Sequence, residues 1–303
     1  MTDFISIKNC SREELIELLN LADQLKYELK NGIDHKILSG KTLGMIFAKS
    51  STRTRVSFEA GMYQLGGNAM FLPSSELQLG RGEPMKDTAR ALSRYLDAIL
   101  IRTFDHNEAE QLADYADIPV INGLTDAAHP CQALADLMTI REYKTSFKGV
   151  RVCFIGEGNN TANSFLLACM KMGMEASIAC PEGYEPSEDV LNFGKESGLL
   201  TLTRDRFEAA RDADVIYTDV WYSMGKEDEA SSRREIFKEY FVDSSLLSAA
   251  KADAIVLHCL PAHRGEEITD EVLEAHAGEI FDLTENRLHV QKAVLATLIK
   301  RKK

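Results

Sequence analysis

This 303-residue sequence has no long apolar run and no extended basic block. Its apolar runs are far shorter than the roughly 20 residues that a membrane-spanning helix requires. Acidic residues number 47 and basic residues 35, which gives a formal charge of −12, and the longest basic block is the terminal segment 300–303. These absences exclude a membrane-spanning helix and argue against nucleic acid as a partner, because proteins that bind nucleic acid usually present basic surfaces.

Cysteine pairs and targeting signals are also missing. The six cysteines, at positions 10, 131, 153, 169, 180 and 259, show no C-x-x-C spacing and lie mostly within apolar segments. This pattern predicts reduced and largely buried thiols rather than a disulfide framework. The first residues, 1–6, resemble neither a signal peptide nor an Arg-rich transit peptide, so we expect a cytoplasmic protein.

The sequence does contain a regular alternation of short apolar runs with amphipathic stretches, which is typical of βα units and parallel sheets. We predict an α/β fold of two domains, residues 1–145 and 146–286, each with a parallel β-sheet flanked by helices. The boundary is expected near Thr145–Gly149, because the alternation restarts directly afterwards. Strands are predicted at Leu43–Phe47, Ala69–Leu72, Ala98–Ile101, Val120–Ile121, Val150–Ile155, Glu175–Ala179, Leu199–Thr203, Val215–Tyr217 and Ala254–Leu257.

The most informative motif is Ser50-Ser51-Thr52-Arg53-Thr54-Arg55, which follows the first predicted strand and opens a segment with helical periodicity. The first turn of a helix has unpaired N–H groups and a partial positive charge, both of which favour a phosphate. Hydroxyl and guanidinium groups add further donors. The motif therefore predicts an anion site, and the alternative is a capped helix followed by surface arginines.

Polar side chains also stand at other transitions from strand to helix, which is the edge of an α/β sheet where ligands bind. His129 precedes the proline that begins a predicted helix, where a helix-capping or packed histidine is the alternative. Arg102 ends the strand that begins at Ala98. The segment 219–225 contains the only tryptophan, Trp221, which suits either a mobile loop or a core anchor.

A metal centre and a dinucleotide site are both disfavoured by spacing. His258, Cys259 and His263 are candidate ligands, but adjacent residues on an extended chain point to opposite faces, so we expect no metal. Gly156 and Gly158 follow a predicted strand, yet position 161 is threonine where the dinucleotide fingerprint requires a third glycine. This departure argues against a nicotinamide-dependent dehydrogenase.

Taken together and in order, the motifs Ser51–Arg55, His129–Gln132 and His258–Pro261 resemble those of the aspartate/ornithine carbamoyltransferase superfamily. Asp219 with the segment 223–225, followed by Cys259-Leu260-Pro261, is similar to the branch that uses ornithine. The resemblance extends over essentially the whole chain. It implies transfer of a carbamoyl group from carbamoyl phosphate to the δ-amino group of L-ornithine, giving L-citrulline and phosphate.

For the carbamoyl phosphate half, the resemblance implies that one set of residues holds the phosphate and another polarises the carbonyl. Arg102, His129 and Thr54 would stabilise the oxyanion, and Gln132 would accept from the carbamoyl NH₂. The complete set implied for this substrate is Ser51, Thr52, Arg53, Thr54, Gln78, Arg102, His129, Gln132, Cys259, Leu260 and Arg287.

For the ornithine half, the resemblance implies that Asn160 binds the α-carboxylate and that Asp219 and Ser223 bind the α-ammonium. Met224 would contribute backbone and packing as a loop closes over both substrates. Cys259, grouped with Arg102 and His129 as catalytic, would accept or orient the proton of the δ-amine. Whether it acts as a base stays open at this point.

The resemblance also implies a homo-oligomer, a trimer or a multiple of trimers, because Gln78 matches the position that serves a neighbouring subunit. The C-terminal helix, 287–303, would pack back onto the first domain, and interdomain helices would join the two domains. No metal and no organic cofactor is implied, since carbamoyl phosphate is already activated. Neither a nucleic acid nor a membrane is implied as a partner.

Other acceptors and other classes fit the sequence less well. Aspartate would require basic residues for its second carboxylate, and putrescine would leave Asn160 and Asp219 without a purpose. N-acetylornithine and N-succinylornithine lack the free α-ammonium that an aspartate would bind. A non-catalytic phosphate-binding protein would be expected to have lost Arg102, His129 or Cys259, and all three are present.

Overall fold

The computed structural model of the chain describes residues 1–222 and 229–300. Within these residues, no helix combines the length and apolar character needed to cross a membrane. The chain divides into two compact units: the first comprises Met1–Met138 and the residues from Asn286 onward, and the second comprises Thr139–Glu285. The domain limits predicted from the sequence, 1–145 and 146–286, stay a prediction.

Strands and helices alternate along most of the chain. The strands are β1 Thr42–Phe47, β2 Asn68–Pro73, β3 Ala98–Arg102, β4 Val120–Leu124, β5 Arg151–Ile155, β6 Glu175–Ala179, β7 Leu200–Thr203, β8 Val215–Thr218 and β9 Ile255–His258. The helices are α1 Arg12–Lys30, α2 Thr52–Gln64, α3 Met85–Leu92, α4 His106–Tyr115, α5 Pro130–Lys144, α6 Asn160–Lys171, α7 Glu188–Ser197, α8 Arg206–Ala210, α9 Ala230–Phe237, α10 Ser244–Leu247, α11 Asp270–Ala275 and α12 Ala277–Lys300. Short 3-10 turns occupy Ile7–Asn9, Ser74–Glu76 and Gln78–Arg81.

The first unit is built on a four-stranded parallel sheet with the strand order β2-β1-β3-β4. Strands β3 and β4 are buried along their whole length, as expected of parallel strands covered on both faces. Because the strand order reverses direction between β1 and β3, the carboxyl ends of these two strands form a topological switch point. The register pairs Phe47 with Arg102, so the segment after β1 starts beside the end of β3.

The second unit is built on a five-stranded parallel sheet with the order β7-β6-β5-β8-β9. Its switch point lies between β5 and β8. The register aligns Ile155 with Thr218 and Thr218 with His258, so the residues that follow these three strands share one edge of the sheet. An apolar cluster that includes Ile155, Ile216 and Val256 forms a core on this sheet.

One glycine at this edge is required for packing. A Cβ atom on Gly158 would lie 2.2 Å from the backbone nitrogen of Pro186 and 2.4 Å from the carbonyl carbon of Glu185. Gly158 therefore allows the segment 185–186 to approach the loop before α6, and this close approach explains a glycine that is not part of a dinucleotide fingerprint.

The predicted fold class is confirmed: each unit contains a parallel sheet flanked by helices. All nine predicted strands are present, and the largest difference is at β4, which extends to Leu124 instead of ending at Ile121. The cysteine prediction also agrees with the structure, since five of the six are buried and only Cys259 is partly exposed.

Candidate active site

The predicted anion site lies at the N-terminus of α2. Ser51 is the N-cap residue: its hydroxyl accepts from the Thr54 amide at 3.2 Å and donates to the Thr54 hydroxyl at 3.1 Å. Thr52 and Arg53 occupy the first turn, where amides have no acceptor within the helix. Arg55 lies on a different side, with its Nε 2.9 Å from Glu59 and its guanidinium over the ring of Phe71. The anion site is therefore centred on residues 51–54.

Two further arginines reach this helix terminus from distant parts of the sequence. Arg287, in α12, is buried and donates to the Thr54 hydroxyl at 2.8 Å. Arg102, the last residue of β3, is also buried and donates from Nε to the Lys49 carbonyl at 3.2 Å. The site thus holds two buried guanidinium groups beside a helix N-terminus, an arrangement that favours a phosphate.

His129 is buried immediately before α5, close to the same cations. Burial lowers its pKa well below the ordinary value, and the charges of Arg287, Arg102 and Lys49 lower it further. The imidazole is therefore neutral near pH 7. A neutral imidazole can donate a hydrogen bond to a carbonyl oxygen without adding another positive charge to this site.

Gln132 lies in the first turn of α5 and is 1 % exposed. Its Nε2 donates to Asp136 at 2.9 Å, which fixes the orientation of the amide. Its Oε1 is buried, and within the described residues it has no hydrogen-bond partner. Gln132 Oε1 is therefore an available acceptor, and its contact with the carbamoyl NH₂ group stays a prediction.

Gln78 is exposed in the turn Gln78–Arg81. An exposed side chain is available to a second subunit, so this position remains compatible with the predicted role.

In the second unit, Asp219 directly follows β8 and is 7 % exposed. Its Oδ1 accepts from the Cys259 thiol at 3.1 Å, and its Oδ2 accepts from Asn159 Nδ2 at 3.1 Å. Cys259 is a hydrogen-bond donor in this arrangement. The carboxylate is consequently held between the residues that follow β5 and those that follow β9.

Asn159 and Asn160 make different contacts at the start of α6. Asn159 is the N-cap of α6 and also contacts Asp219, whereas Asn160 is the first helical residue and its Oδ1 accepts from the Thr161 amide at 2.9 Å. Asn160 is buried, and its contact with a carboxylate stays a prediction.

The segment His258–Pro261 is held by buried hydrogen bonds of His258. His258 Nδ1 accepts from the Leu260 amide at 2.9 Å, and its Nε2 lies 3.1 Å from Glu267 Oε1. Because the Leu260 amide can only donate, His258 Nδ1 carries no proton, and Nε2 donates to Glu267. Leu260 has a φ of 55°, so this contact supports a left-handed backbone conformation beside Cys259.

Trp221 is a core anchor rather than part of an exposed loop. It is buried, its Nε1 donates to the Tyr240 carbonyl at 3.1 Å, and its ring stacks near Phe237. Ser223 and Met224, both predicted to bind ornithine, lie outside the described residues.

Comparisons with known proteins agree with this geometry. Residues 2–142 match the family profile described as aspartate/ornithine carbamoyltransferase, carbamoyl-P binding domain. Residues 148–298 match the profile described as aspartate/ornithine carbamoyltransferase, Asp/Orn binding domain. The chain belongs to the aspartate/ornithine carbamoyltransferase family.

Individual relatives within this family are similar over nearly their full length. A protein of Anoxybacillus flavithermus named ornithine carbamoyltransferase is 54% identical over 98% of this chain and 96% of its own. The Carboxydothermus hydrogenoformans protein of the same name is 53% identical over 98% of this chain and 97% of its own. The solved structure of ornithine carbamoyltransferase from Pyrococcus furiosus superposes with a TM-score of 0.94 at 51% identity, covering 99% of this chain and 98% of the other.

Sequence reasoning missed three side chains that lie beside the predicted residues, one in the first unit and two in the second. Lys49 is buried. Its Nζ lies 3.4 Å from Asp126 Oδ1 and faces the ring of Phe104. Lys49 lies in the sequence between a buried strand and the N-cap residue Ser51, and this position could have identified it as a candidate site residue. Asn159 and Glu267 had none, because their partners, Asp219 and His258, can be identified only from the folded chain.

Proposed function

We propose that this protein transfers the carbamoyl group of carbamoyl phosphate to the δ-amino group of L-ornithine, giving L-citrulline and phosphate. The observation that carries the proposal is the placement of Arg287, Arg102 and a neutral His129 around the N-terminus of α2. The names of the similar proteins support the same reaction, and a relative from Pyrococcus furiosus is named as the anabolic enzyme. We therefore assign the protein to arginine biosynthesis.

In the carbamoyl phosphate half, Ser51, Thr52, Arg53 and Thr54 hold the phosphate at the helix terminus. As the δ-amine attacks the carbonyl carbon, negative charge develops on the carbonyl oxygen, and Arg102, His129 and Thr54 stabilise it. Collapse of this intermediate breaks the bond between carbon and the phosphate oxygen. The departing phosphate gains charge beside Arg53 and Arg287, which favours its release from the carbon.

Gln132 completes recognition of the carbamoyl group. Its free Oε1 accepts from the NH₂ group of the substrate, while its own NH₂ group stays bound to Asp136. This contact distinguishes a carbamoyl from an acetyl group, because a methyl group cannot donate a hydrogen bond.

In the ornithine half, Asp219 and Ser223 bind the α-ammonium, Asn160 binds the α-carboxylate, and Met224 packs against the substrate. Cys259 and Leu260 hold the δ-amine. An alkylammonium with a pKa near ~10.4 must lose a proton before it can attack. Because the Cys259 thiol donates to Asp219, its sulfur is oriented to accept a hydrogen bond from the δ-amine, and we assign Cys259 the role of orienting that amine.

The oligomer is a further part of the proposal. Gln78 is exposed, and we propose that it enters the site of a neighbouring subunit in a trimer or a multiple of trimers. The protein is proposed to work in the cytoplasm.

The first test is a ureido-group assay with carbamoyl phosphate and, in parallel, L-ornithine, putrescine, N-acetylornithine and L-aspartate. Product with L-ornithine alone is expected. Product with another amine alone would overturn the roles of Asn160 and Asp219, and no product with any acceptor would overturn the reaction itself.

Two substitutions then separate the halves of the site. Arg53→Ala should lower kcat by at least about 100-fold, because a phosphate contact is lost, while the thermal unfolding curve is unchanged. Asp219→Asn should mainly raise KM for ornithine. The matched control is Arg55→Ala, which removes an arginine of the same helix that contacts Glu59 instead, and its kcat should stay within a few-fold of the wild type. Equal losses in both arginine variants would contradict the phosphate assignment.

A further inference from the structure

A second cluster of ionisable side chains follows the segment His258–Pro261. His263, Glu266 and Glu267 each offer one ligand atom, and these atoms all lie within 4.8 Å of one another. His263 Nδ1 is 3.8 Å from Glu266 Oε2, which is too long for a hydrogen bond. All three residues belong to the second unit.

Each of these side chains has one polar atom that is buried and, among the residues that the structure describes, has no hydrogen-bond partner. These atoms are His263 Nδ1, Glu266 Oε2 and Glu267 Oε2. Glu267 is 0 % exposed, so its oxygen cannot be satisfied by open solvent. A buried carboxylate oxygen without a donor is destabilising, and such groups are rare in native proteins.

The remaining atoms of these side chains are already held in place. Glu267 Oε1 accepts from His258 and, at 2.6 Å, from the His263 amide. Glu266 Oε1 accepts from Arg234 at 2.9 Å, and the His263 ring stacks on Tyr222 with 4.8 Å between centroids. The three unsatisfied atoms are therefore presented by oriented side chains rather than by mobile ones.

The charge of the cluster favours a cation. Two adjacent carboxylates repel each other, and Arg234 contacts only the outer one, Glu266, in the ion pairs that the structure gives. Arg264, between His263 and Glu266 in sequence, is directed to Asp270 and Glu274 instead. A divalent ion would supply the charge that these carboxylates lack.

One imidazole nitrogen and two carboxylate oxygens form a ligand set typical of Zn²⁺ and related divalent transition metals. Two ligands 2.0–2.2 Å from one ion lie roughly 3–4 Å apart, so the group would close around an ion with shifts of about 1 Å. We propose that His263, Glu266 and Glu267 bind a divalent transition-metal ion of the Zn²⁺ class.

The other group with metal-ligand spacing, Asp219, His258 and Cys259, differs in one respect. Both ring nitrogens of His258 are already used, by the Leu260 amide and by Glu267. That group therefore offers no free imidazole nitrogen. In the other group, the Nδ1 atom of His263 has no hydrogen-bond partner among the described residues. The sequence argument against a metal paired His263 with His258 and Cys259, and folding instead brings it to two carboxylates.

The test is equilibrium dialysis of the full chain against Zn²⁺, with wild-type protein and single variants. The wild type should bind one ion saturably at this site. His263→Gln and Glu266→Gln should each weaken binding by at least about tenfold, since each removes a ligand. Glu267 is left unchanged in this test because it also holds His258 inside the core.

His276→Gln is the matched control, because His276 Nδ1 also faces a glutamate three residues ahead, Glu279, but the two are hydrogen-bonded at 2.9 Å. It should bind Zn²⁺ as the wild type does, and so should Cys259→Ser. Absence of saturable binding would overturn the proposal, as would binding that survives His263→Gln but is lost in Cys259→Ser.

Co²⁺ provides a second readout that does not depend on activity. Its visible absorption should show coordination by nitrogen and oxygen, without the near-ultraviolet charge-transfer band that a thiolate ligand produces. Appearance of that band in the wild type, and its loss in Cys259→Ser, would assign the ion to the Asp219 group and contradict the proposal.

Discussion

His129 is a residue whose protonation is changed by its surroundings. It is buried, and three cations lie near it. Both conditions lower its pKa and so favour the neutral ring. In an oxyanion site this matters because a neutral donor keeps its proton as the intermediate collapses. The same cations remain available to the phosphate.

The first prediction concerns stability in acid. The pKa of His129 is lower in the folded protein than in the unfolded chain, so the unfolded chain takes up a proton first as the pH falls below about 6.5. The stability that depends on the neutral ring is therefore complete above that pH and declines toward the lower folded pKa. His129→Gln, which cannot be protonated there, should lose less stability on acidification.

Urea unfolding at pH 7.5 and pH 5.5 measures this difference. The free energy of unfolding of the wild type should fall more than that of His129→Gln, by up to about 1.4 kcal/mol for the one pH unit below 6.5. His106→Gln, which replaces a partly exposed histidine of the same unit, is the control. Parallel decline in the wild type and His129→Gln would contradict the prediction.

At the scale of elements, α2 combines a stability role with a binding role in its N-cap. The Ser51 hydroxyl satisfies the Thr54 amide and also orients the Thr54 hydroxyl toward Arg287. Ser51→Ala should therefore lower the free energy of unfolding by about 1 kcal/mol. It should also raise KM for carbamoyl phosphate, because the hydroxyl of Thr54 loses its orientation.

The matched control for this helix is Ser187→Ala. Ser187 is the N-cap residue of α7, but its side chain makes no capping hydrogen bond. Its removal should change the free energy of unfolding by no more than a few tenths of a kcal/mol, with KM unaffected. A loss in Ser187→Ala as large as that in Ser51→Ala would show that the capping bond is not the cause.

The elements also show what could be predicted from the sequence. Ser51 and Thr54 are three residues apart, so their contact follows from local helix geometry, and the strands follow from apolar runs. The contact of Thr54 with Arg287 spans 233 residues and depends on the tertiary fold. For the same reason the contact of Asn159 with Asp219, which spans 60 residues, could not be predicted from the sequence.

At the scale of the whole molecule, a topological switch point occurs in the sheet of each unit. Each sheet reverses its strand order once, between β1 and β3 in the first and between β5 and β8 in the second. The residues Ser51–Thr54, which are proposed to hold the phosphate, follow β1 at one switch point, and Asn159 and Asp219 follow β5 and β8 at the other. Two similar sheet edges thus carry different chemistry, basic in one unit and acidic in the other.

The proposed trimer yields the last prediction, because each complete site would combine Arg102 of one subunit with Gln78 of the next. Arg102→Ala and Gln78→Ala should each be nearly inactive alone. When the two variants are dissociated, mixed in equal amounts and reassembled, chance places both intact residues in roughly one site in four, so about a quarter of the wild-type activity should return.

The control is a mixture of Arg102→Ala with His129→Ala, whose residues serve the same subunit's site, and it should recover nothing. Full activity of Gln78→Ala alone, or no recovery in the first mixture, would contradict the shared site. Recovery without dissociation would also contradict it, since intact oligomers cannot exchange the residue.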